Sequence, residues 1–408
     1  MKDKRIATLF LTIFIDLLGF GIVIPILPNL AKSMAITSHM SFNPDYAVGI
    51  TAAAFSIIQF LFAPMFGALS DRIGRRPIIL GSILVNALGY YIFGIAGNFL
   101  VLLFARIISG FGSANISAAQ AYIADITEPA DRAKKMGIIG AAFGLGFVFG
   151  PPIGGLLFSK GGLFYVGTFT AALCVLNFIL AYLFLPESNT NRDGVRRKAS
   201  DTFKGMVQVW SFEVIGELFL INFIYIMAFS MMQVNGSVLW AEKYGLNEMQ
   251  IGKIFGAIGI AGAIVQGLLI GVFSKKLGLK KMLLIGCPMV GLGLAIIPLP
   301  PNIEWFYVNQ GIAILLLSVG NGLLMTSINS LVSINTPATA QGTMLGSLQS
   351  LSSLSRVVGP LIASFLYARS KELPFLVAGV LMFGLFFLAL KLSKKLKAEN
   401  TSHGAVQK

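Results

Sequence analysis

The sequence predicts an all-α integral membrane protein, with twelve transmembrane helices arranged as two pseudo-symmetric six-helix bundles. Three observations carry this. Of the 408 residues, 56% are hydrophobic and only 12% charged, with a mean hydropathy of +0.81, whereas a soluble domain carries about 25% charged residues. Twelve apolar runs are each long enough for a bilayer crossing, which takes about 20 residues. The second half of the chain repeats loop motifs of the first at a nearly constant offset. The composition excludes a cytosolic enzyme, a disordered chain and a nucleic-acid-binding domain, because one soluble core cannot hide this much apolar surface.

The runs fall near 6–30, 47–70, 78–96, 99–124, 136–158, 163–185, 214–239, 250–273, 282–299, 305–334, 343–367 and 374–392. They leave no room for a soluble domain. The first run follows Lys2, Lys4 and Arg5, as a secretory signal would. It is too long for one, carries Asp16 and lacks a small-x-small cleavage site, so it is read as the first span. Of the 31 basic residues, 23 cluster before run one and after runs two, four, six, eight and twelve. Six are assigned to the opposite side (Lys32, Lys160, Lys243, Lys253, Arg369 and Lys371), and Arg106 and Arg356 lie within runs. Lys and Arg stay on the cytoplasmic side, so both termini are expected there, and the net charge of +14 records topology rather than a polyanion partner. The longest polar stretch between runs, Pro186 to about Val209, reads as a linker. The expected domains are therefore 1–187, a linker at 188–210, and 211–408. Cys174 and Cys287 lie inside runs, so no disulfide framework or metal site is indicated.

The repeat is visible in the loops. GALSDRIGRRPIIL (67–80) is matched by GVFSKKLGLKKMLL (271–284), with Gly67, Ser70 and Gly74 falling on Gly271, Ser274 and Gly278. FIDLLGF (14–20) falls on FIYIMAF (223–229), and Gly150-Pro151 on Gly359-Pro360. Two related six-span halves are an architecture of secondary transporters, with the substrate site at mid-membrane between them.

The loop from Gly67 to Arg76 joins turn glycines to a fixed acid, Asp71, and fixed bases, Arg72, Arg75 and Arg76. A merely basic loop would not need its Gly-x-x-x-Asp-Arg-x-Gly spacing. It resembles the signature loop of the major facilitator superfamily. GLGFVFGPPIGG (144–155) resembles the antiporter motif of that superfamily's twelve-span drug:proton antiporter branch. Its small residues permit close helix approach, and Pro151-Pro152 interrupts the backbone ladder. RIISGFGSA (106–114), DLLGFGIVIPILP (16–28) and LPES (185–188) are similar to further stretches of the branch. The likeness runs the whole chain and is strongest to the tetracycline-efflux group, including QGTMLGSLQSLSSLSRVVGPL (341–361). Two departures stand out: Gly89 replaces that group's span-three acid, and span nine has none. The resemblance therefore implies the transporter class without implying tetracycline as substrate.

By that resemblance, Gly67, Asp71, Arg72, Gly74, Arg75 and Arg76 gate the conformational change together with Gly146, Gly150, Pro151, Gly154 and Gly155. Asp71 would lie against the start of span eleven near Gln341 and Gly342, where a helix N-terminus favours a carboxylate by about 0.3–1 kcal/mol.

An ionisable side chain at mid-span costs about 2.5–3.5 kcal/mol, so each one needs a reason. Asp16 lies ten residues past Ile6, roughly 15 Å into its helix. It is the leading proton-binding candidate, and its repeat partner is Tyr225. The resemblance turns Arg106 toward the central cavity as part of a proton relay, paired with Asp16. Arg356 precedes Gly359-Pro360 and is a candidate for binding the carbonyls exposed there or for substrate contact. Asn115, Gln120, Gln233, Asn235, Gln266 and Asn329, with Tyr225 and Arg356, are candidate cavity-lining residues.

The expected function is proton-coupled efflux of small, largely apolar, drug-like compounds by alternating access, the chemistry of multidrug and antibiotic resistance. The alternative is transport of an anionic metabolite or amphipathic lipid on the same fold, with Arg106 and Arg356 holding the anionic group. No nucleotide-binding loop, metalloprotease motif or nucleophile triad occurs, so no enzyme activity, catalytic residue or cofactor is expected. The expected partners are a small-molecule substrate, protons and the lipid bilayer, without nucleic acid, and the protein is expected to be a monomer of the inner cell membrane.

Overall fold

The structure is a computed structural model, and it describes residues 2–127, 132–189, 213–336 and 341–405. Most of the expected linker lies outside the described residues. Every described element is helical: α1 (Lys2–Val23), α2 (Leu27–Thr37), α3 (Pro44–Ile73), α4 (Arg75–Gly94), α5 (Phe99–Gly112), α6 (Ile116–Ile126), α7 (Arg132–Phe184), α8 (Glu213–Tyr244), α9 (Glu248–Ile264), α10 (Ile270–Ile296), α11 (Ile303–Ile334), α12 (Gln341–Tyr367) and α13 (Leu373–Ala405). A 3₁₀ turn, Ser113–Asn115, joins α5 to α6, and a π-helical turn, Val265–Leu269, joins α9 to α10.

Eight helical stretches are long and apolar enough to cross a membrane, or nine if Ala7–Val23 and Leu27–Thr37 form one span bent by 49°. That bend corrects the expectation of one continuous first run ending near residue 30. Pro25 and Pro28 remove two backbone donors, so the helix stops at Val23, restarts at Leu27 and continues to Thr37. Two long helices also break inside. In α7 the backbone leaves the helix at Gly161 and Gly162, and in α10 at Gly278. Both breaks fall between expected runs, five from six and eight from nine.

Span starts are set by local hydrogen bonds. The side chains of Asn43, Asn98 and Asn302 accept from the N–H groups of Asp45, Val101 and Trp305, satisfying helix donors that have no intrahelical partner. At α9, Asn247 and Gln250 cap each other reciprocally, both at 3.0 Å, the arrangement of a capping box.

The chain divides into two compact units. One comprises Met1–Asp201 with Gln233–Gly259, the other Thr202–Met232 with Ile260–Lys408. In the first, α1 and α4 pack along α7 and α5 packs on α3 and α4. They enclose a core that includes Ile22, Ile83, Tyr90, Phe93, Phe99 and Tyr122. In the second, α10 packs on α11 and α13, burying Met282, Val290, Leu324 and Met382. Large apolar side chains such as Leu100, Leu183, Leu268, Trp305, Leu315 and Phe387 face outward. That is the surface a bilayer solvates, and helices suit it because their backbone donors are satisfied internally.

Candidate functional site

Asp16 sits on α1 where α1 packs along α7 and touches α6. The 3₁₀ turn between α5 and α6 tightens the chain at mid-span, and such turns often mark functional positions. It presents Asn115, whose Nδ2 donates to Asp16 Oδ2 at 2.7 Å. Asp16 is half-buried, and its Oδ1 is fully buried without a hydrogen-bond partner. Asn86 of α4 and Asn177 of α7 adjoin the same carboxylate, and both are wholly buried. Neither was singled out in the sequence, although each is an isolated amide inside an apolar run, which is the signal that marks it.

Arg106 does not pair with Asp16 as expected. Its guanidinium lies 4.3 Å from the centre of the Phe55 ring, a cation–π arrangement, and the residue is 3% exposed. Tyr90 adjoins both charges. Gly89, the departure in span three, has a packing explanation. A Cβ there would stand 2.5 Å from Ser109 Oγ and 2.9 Å from Ser109 N, so α4 and α5 meet too closely at this level for any larger side chain.

The glycines of the 144–155 motif form a seam with two sides. Gly146, Gly150 and Gly154 recur every four residues, which keeps them on one helix face, and they meet Leu17, Gly21 and Ile22 of α1. Gly155 meets the backbone of Glu248 and Met249, and Pro151 O lies 2.5 Å from where a Cβ of Gly252 would be.

At the 67–76 loop a network holds the charges. Arg75 bridges Asp71 at 2.5 Å and Asp125 at 3.1 Å, and its Nη1 donates to Ser70 Oγ at 2.6 Å. Gly74 takes φ 111° and ψ 156°, and behind it the carboxylate of Glu187, from the LPES stretch, accepts from the N–H groups of Arg75, Arg76, Ser188 and Asn189 at 2.8–3.2 Å. Arg76 donates to Tyr182 O at 2.6 Å, while Arg72 is exposed and Gly67 half-buried. The expected approach of Asp71 to Gln341 and Gly342 involves side chains outside the described residues. At α2, Lys32 forms ion pairs with Asp45 and Glu242, a cluster that sequence reasoning did not anticipate.

In the second unit, Tyr225 is buried, and Asn222 donates to Ser352 Oγ at 2.8 Å. Arg356 donates to Ser353 Oγ at 3.1 Å rather than to the carbonyls near Gly359-Pro360, and it has no carboxylate partner among the described residues. Asn235 is buried with its Oδ1 unpartnered. Gln120 and Gln233 are half-buried, whereas Gln266, in the π-helical turn, and Asn329 are exposed. Asn329 donates back to Met325 O of its own helix.

Comparison with known proteins fits this arrangement. The profile of the Major Facilitator Superfamily matches residues 9–360. The class C tetracycline resistance protein of Escherichia coli is 31% identical over 381 residues, covering 91% of each chain. Human major facilitator superfamily domain-containing protein 10 is 28% identical, covering 97% of this chain and 96% of its own. The crystal structure of the human organic anion transporter MFSD10 (TETRAN) superposes with a TM-score of 0.71 at 25% identity, over 95% of this chain and 99% of that one. A peptide transporter structure, at 14% identity and TM-score 0.78, shares the fold. The chain belongs to the major facilitator superfamily and is one of its multi-pass membrane transporters of small molecules.

Proposed function

We propose that this transporter exports small, largely apolar compounds in exchange for protons, with Asp16 as the proton-binding group. The observation that carries the reading is the environment of Asp16: a carboxylate within an apolar span, held by an amide, with no cationic side chain paired to it among the described residues. A carboxylate locked to an arginine would resist protonation, whereas one held by neutral amides loads and releases a proton at lower cost. A proton moving inward down about 100 mV supplies about 2.3 kcal/mol, enough for roughly a fifty-fold substrate gradient. The breaks at Gly161-Gly162 and Gly278 raise the nine candidate spans to eleven, with α12 (Gln341–Tyr367) as the twelfth, and the sequence repeat supports assigning six to each of two halves, 1–187 and 211–408. The distribution of basic residues supports placing both termini in the cytoplasm, in the inner cell membrane. We take the protein to work as a monomer, gated by the 67–76 loop and the α7 glycine seam. Everted vesicles with an acidic lumen test this reading. They should accumulate a transported compound with the wild-type protein and fail to do so with Asp16→Asn at equal expression.

A second reading is favoured by Arg356. A guanidinium in α12 with a hydroxyl as its hydrogen-bond partner and no acid is suited to a substrate carboxylate, and one relative is described as an organic anion transporter. Uptake of anionic compounds that falls with Arg356→Ala, while uptake of neutral ones persists, would select this reading.

A further inference from the structure

Asp16 and the charged loop at 67–76 are gripped from opposite ends of one short helix, α6. Asn115, the last residue of the 3₁₀ turn, stands at its start and donates through Nδ2 to Asp16 Oδ2 at 2.7 Å. Near its end, Asp125 Oδ2 accepts from Arg75 Nε at 3.1 Å and from Ser188 Oγ at 2.9 Å. One turn back, the Tyr122 hydroxyl donates to Pro186 O at 2.8 Å. Asn115 and Asp125 are about 15 Å apart along the axis, and α6 runs between them as regular α-helix. The 3₁₀ turn sets the aim of Asn115. It winds about 120° per residue against about 100° in an α-helix, so its three residues carry α6 about 60° further round than a continuous helix would. Two neighbours brace the turn: Gln59 of α3 donates to Ser113 O at 3.0 Å, and Ser113 Oγ donates to Asn86 Oδ1 of α4 at 3.2 Å.

We infer that α6 couples the proton site to the loop: protonation of Asp16 loosens the Asn115 bond at one end of the helix and thereby the Asp125–Arg75 bond at the other. The inference rests on the readings of Asp16 as the proton-binding group and of the 67–76 loop as a gate, and deepens both. A hydrogen bond to an ionised acceptor is roughly twice as strong as one between neutral groups, so a proton on Asp16 removes about half of the hold that α1 has on the start of α6. The turn is then free to wind as α-helix, which swings α6 back by about 60° and carries Asp125 out of line with Arg75. Coupling of this kind is reciprocal. Loss of the Asp125 grip on the loop frees α6 and weakens the hold of Asn115 on ionised Asp16. Asn115 and Asp125 are positioning residues in this scheme, since the proton itself resides on Asp16. The other ionisable groups around that carboxylate are Tyr90 of α4 and Cys174 of α7, with Arg106 of α5 adjoining Tyr90. Tyrosine and cysteine side chains are ordinarily neutral near pH 7 and arginine is always charged, so the switch turns on Asp16.

Infrared titration of the purified, full-length protein in lipid tests this without any substrate. Asp16→Asn identifies the carboxyl band of Asp16. Asn115→Leu removes the donor to the ionised form and should move the midpoint of that band to higher pH by about one unit, the size of one hydrogen bond. Asn115→Ser keeps a donor and should stay within about half a unit of wild type. Asp125→Asn separates coupling through the helix from coupling through space. Removal of a negative charge acts through space to favour an ionised carboxylate, which lowers the midpoint, whereas release of α6 should raise it by about half a unit. That rise should vanish when Asp125→Asn is made in the Asn115→Leu background. Asp125→Glu keeps a carboxylate for Arg75 and should stay near wild type, which guards against a variant that misfolds. An unchanged midpoint in Asn115→Leu, an unchanged or lowered one in Asp125→Asn, or a rise that Asp125→Glu shares or that persists in the Asn115→Leu background overturns the inference while leaving Asp16 as the proton site. A band that persists in Asp16→Asn overturns the proton-site reading itself.

Discussion

Gly74 (φ 111°, ψ 156°) and Gly278 (φ 72°, ψ 159°) occupy matching places in the two copies of the repeat, and each breaks its helix in a backbone region that is essentially closed to other residues. Around Gly74, Asp71, Arg75, Asp125 and Glu187 form a closed network of ion pairs and backbone caps. Around Gly278 stand Lys275, Lys276, Lys280 and Lys281, which make no ion pair among the described residues. The mid-span positions differ in the same sense, with Asp16 in the first copy and Tyr225 in the second. The repeat has kept the backbone device in both copies and the charge network in one. On the proposed mechanism, the charges that switch would then lie in the first half.

The largest effect that would sharpen this comparison is at the spans. Asp16→Asn should abolish proton-driven accumulation, while Tyr225→Phe should keep it within about twofold, a change worth under about 0.5 kcal/mol. Equal losses from both would break the asymmetry. Next come the loops. Asp71→Asn or Arg75→Ala should slow transport about tenfold, or about 1.4 kcal/mol, because each removes a partner from a connected network, while Lys275→Ala should leave the rate near wild type. Transport assays at matched protein levels read both. The smallest effect concerns stability. Gly74→Ala should cost about 1–3 kcal/mol from backbone strain alone and more from crowding, since its Cβ would lie 2.4 Å from Glu187 Oε2. Gly278→Ala carries the strain without the crowding, having no atom within 4 Å of its Cβ. Thermal unfolding in detergent should therefore rank Gly74→Ala below Gly278→Ala.

The helical fold, the repeat and the place of Asp16 were legible because each rests on local pattern: run length, glycine spacing, and one charge among apolar residues. The seam of Gly146, Gly150 and Gly154 was equally readable, because a four-residue spacing fixes a helix face. What the sequence did not disclose were partners set by tertiary packing. Arg106 was expected beside Asp16, but Phe55 takes the guanidinium while Asn115 takes the carboxylate. Asn86 and Asn177 carry no motif and gain their meaning only when α4 and α7 close on α1. Glu187 belonged to a recognised stretch, yet its work as a backbone cap for α4 depends on the end of α7 returning to the 67–76 loop. The bend after Val23 was written in Pro25 and Pro28, and was obscured by an apolar run that continues across it.

Proton movement itself tests the central claim most directly. Proteoliposomes holding the purified protein, loaded with a transported compound and diluted into weakly buffered medium, report external pH as the compound flows out. The account predicts that outflow through the wild-type protein draws protons inward, so the medium becomes more alkaline, and that Asp16→Asn produces no such change. Substrate outflow through the wild-type protein with no change in external pH, or an undiminished change with Asp16→Asn, would contradict it.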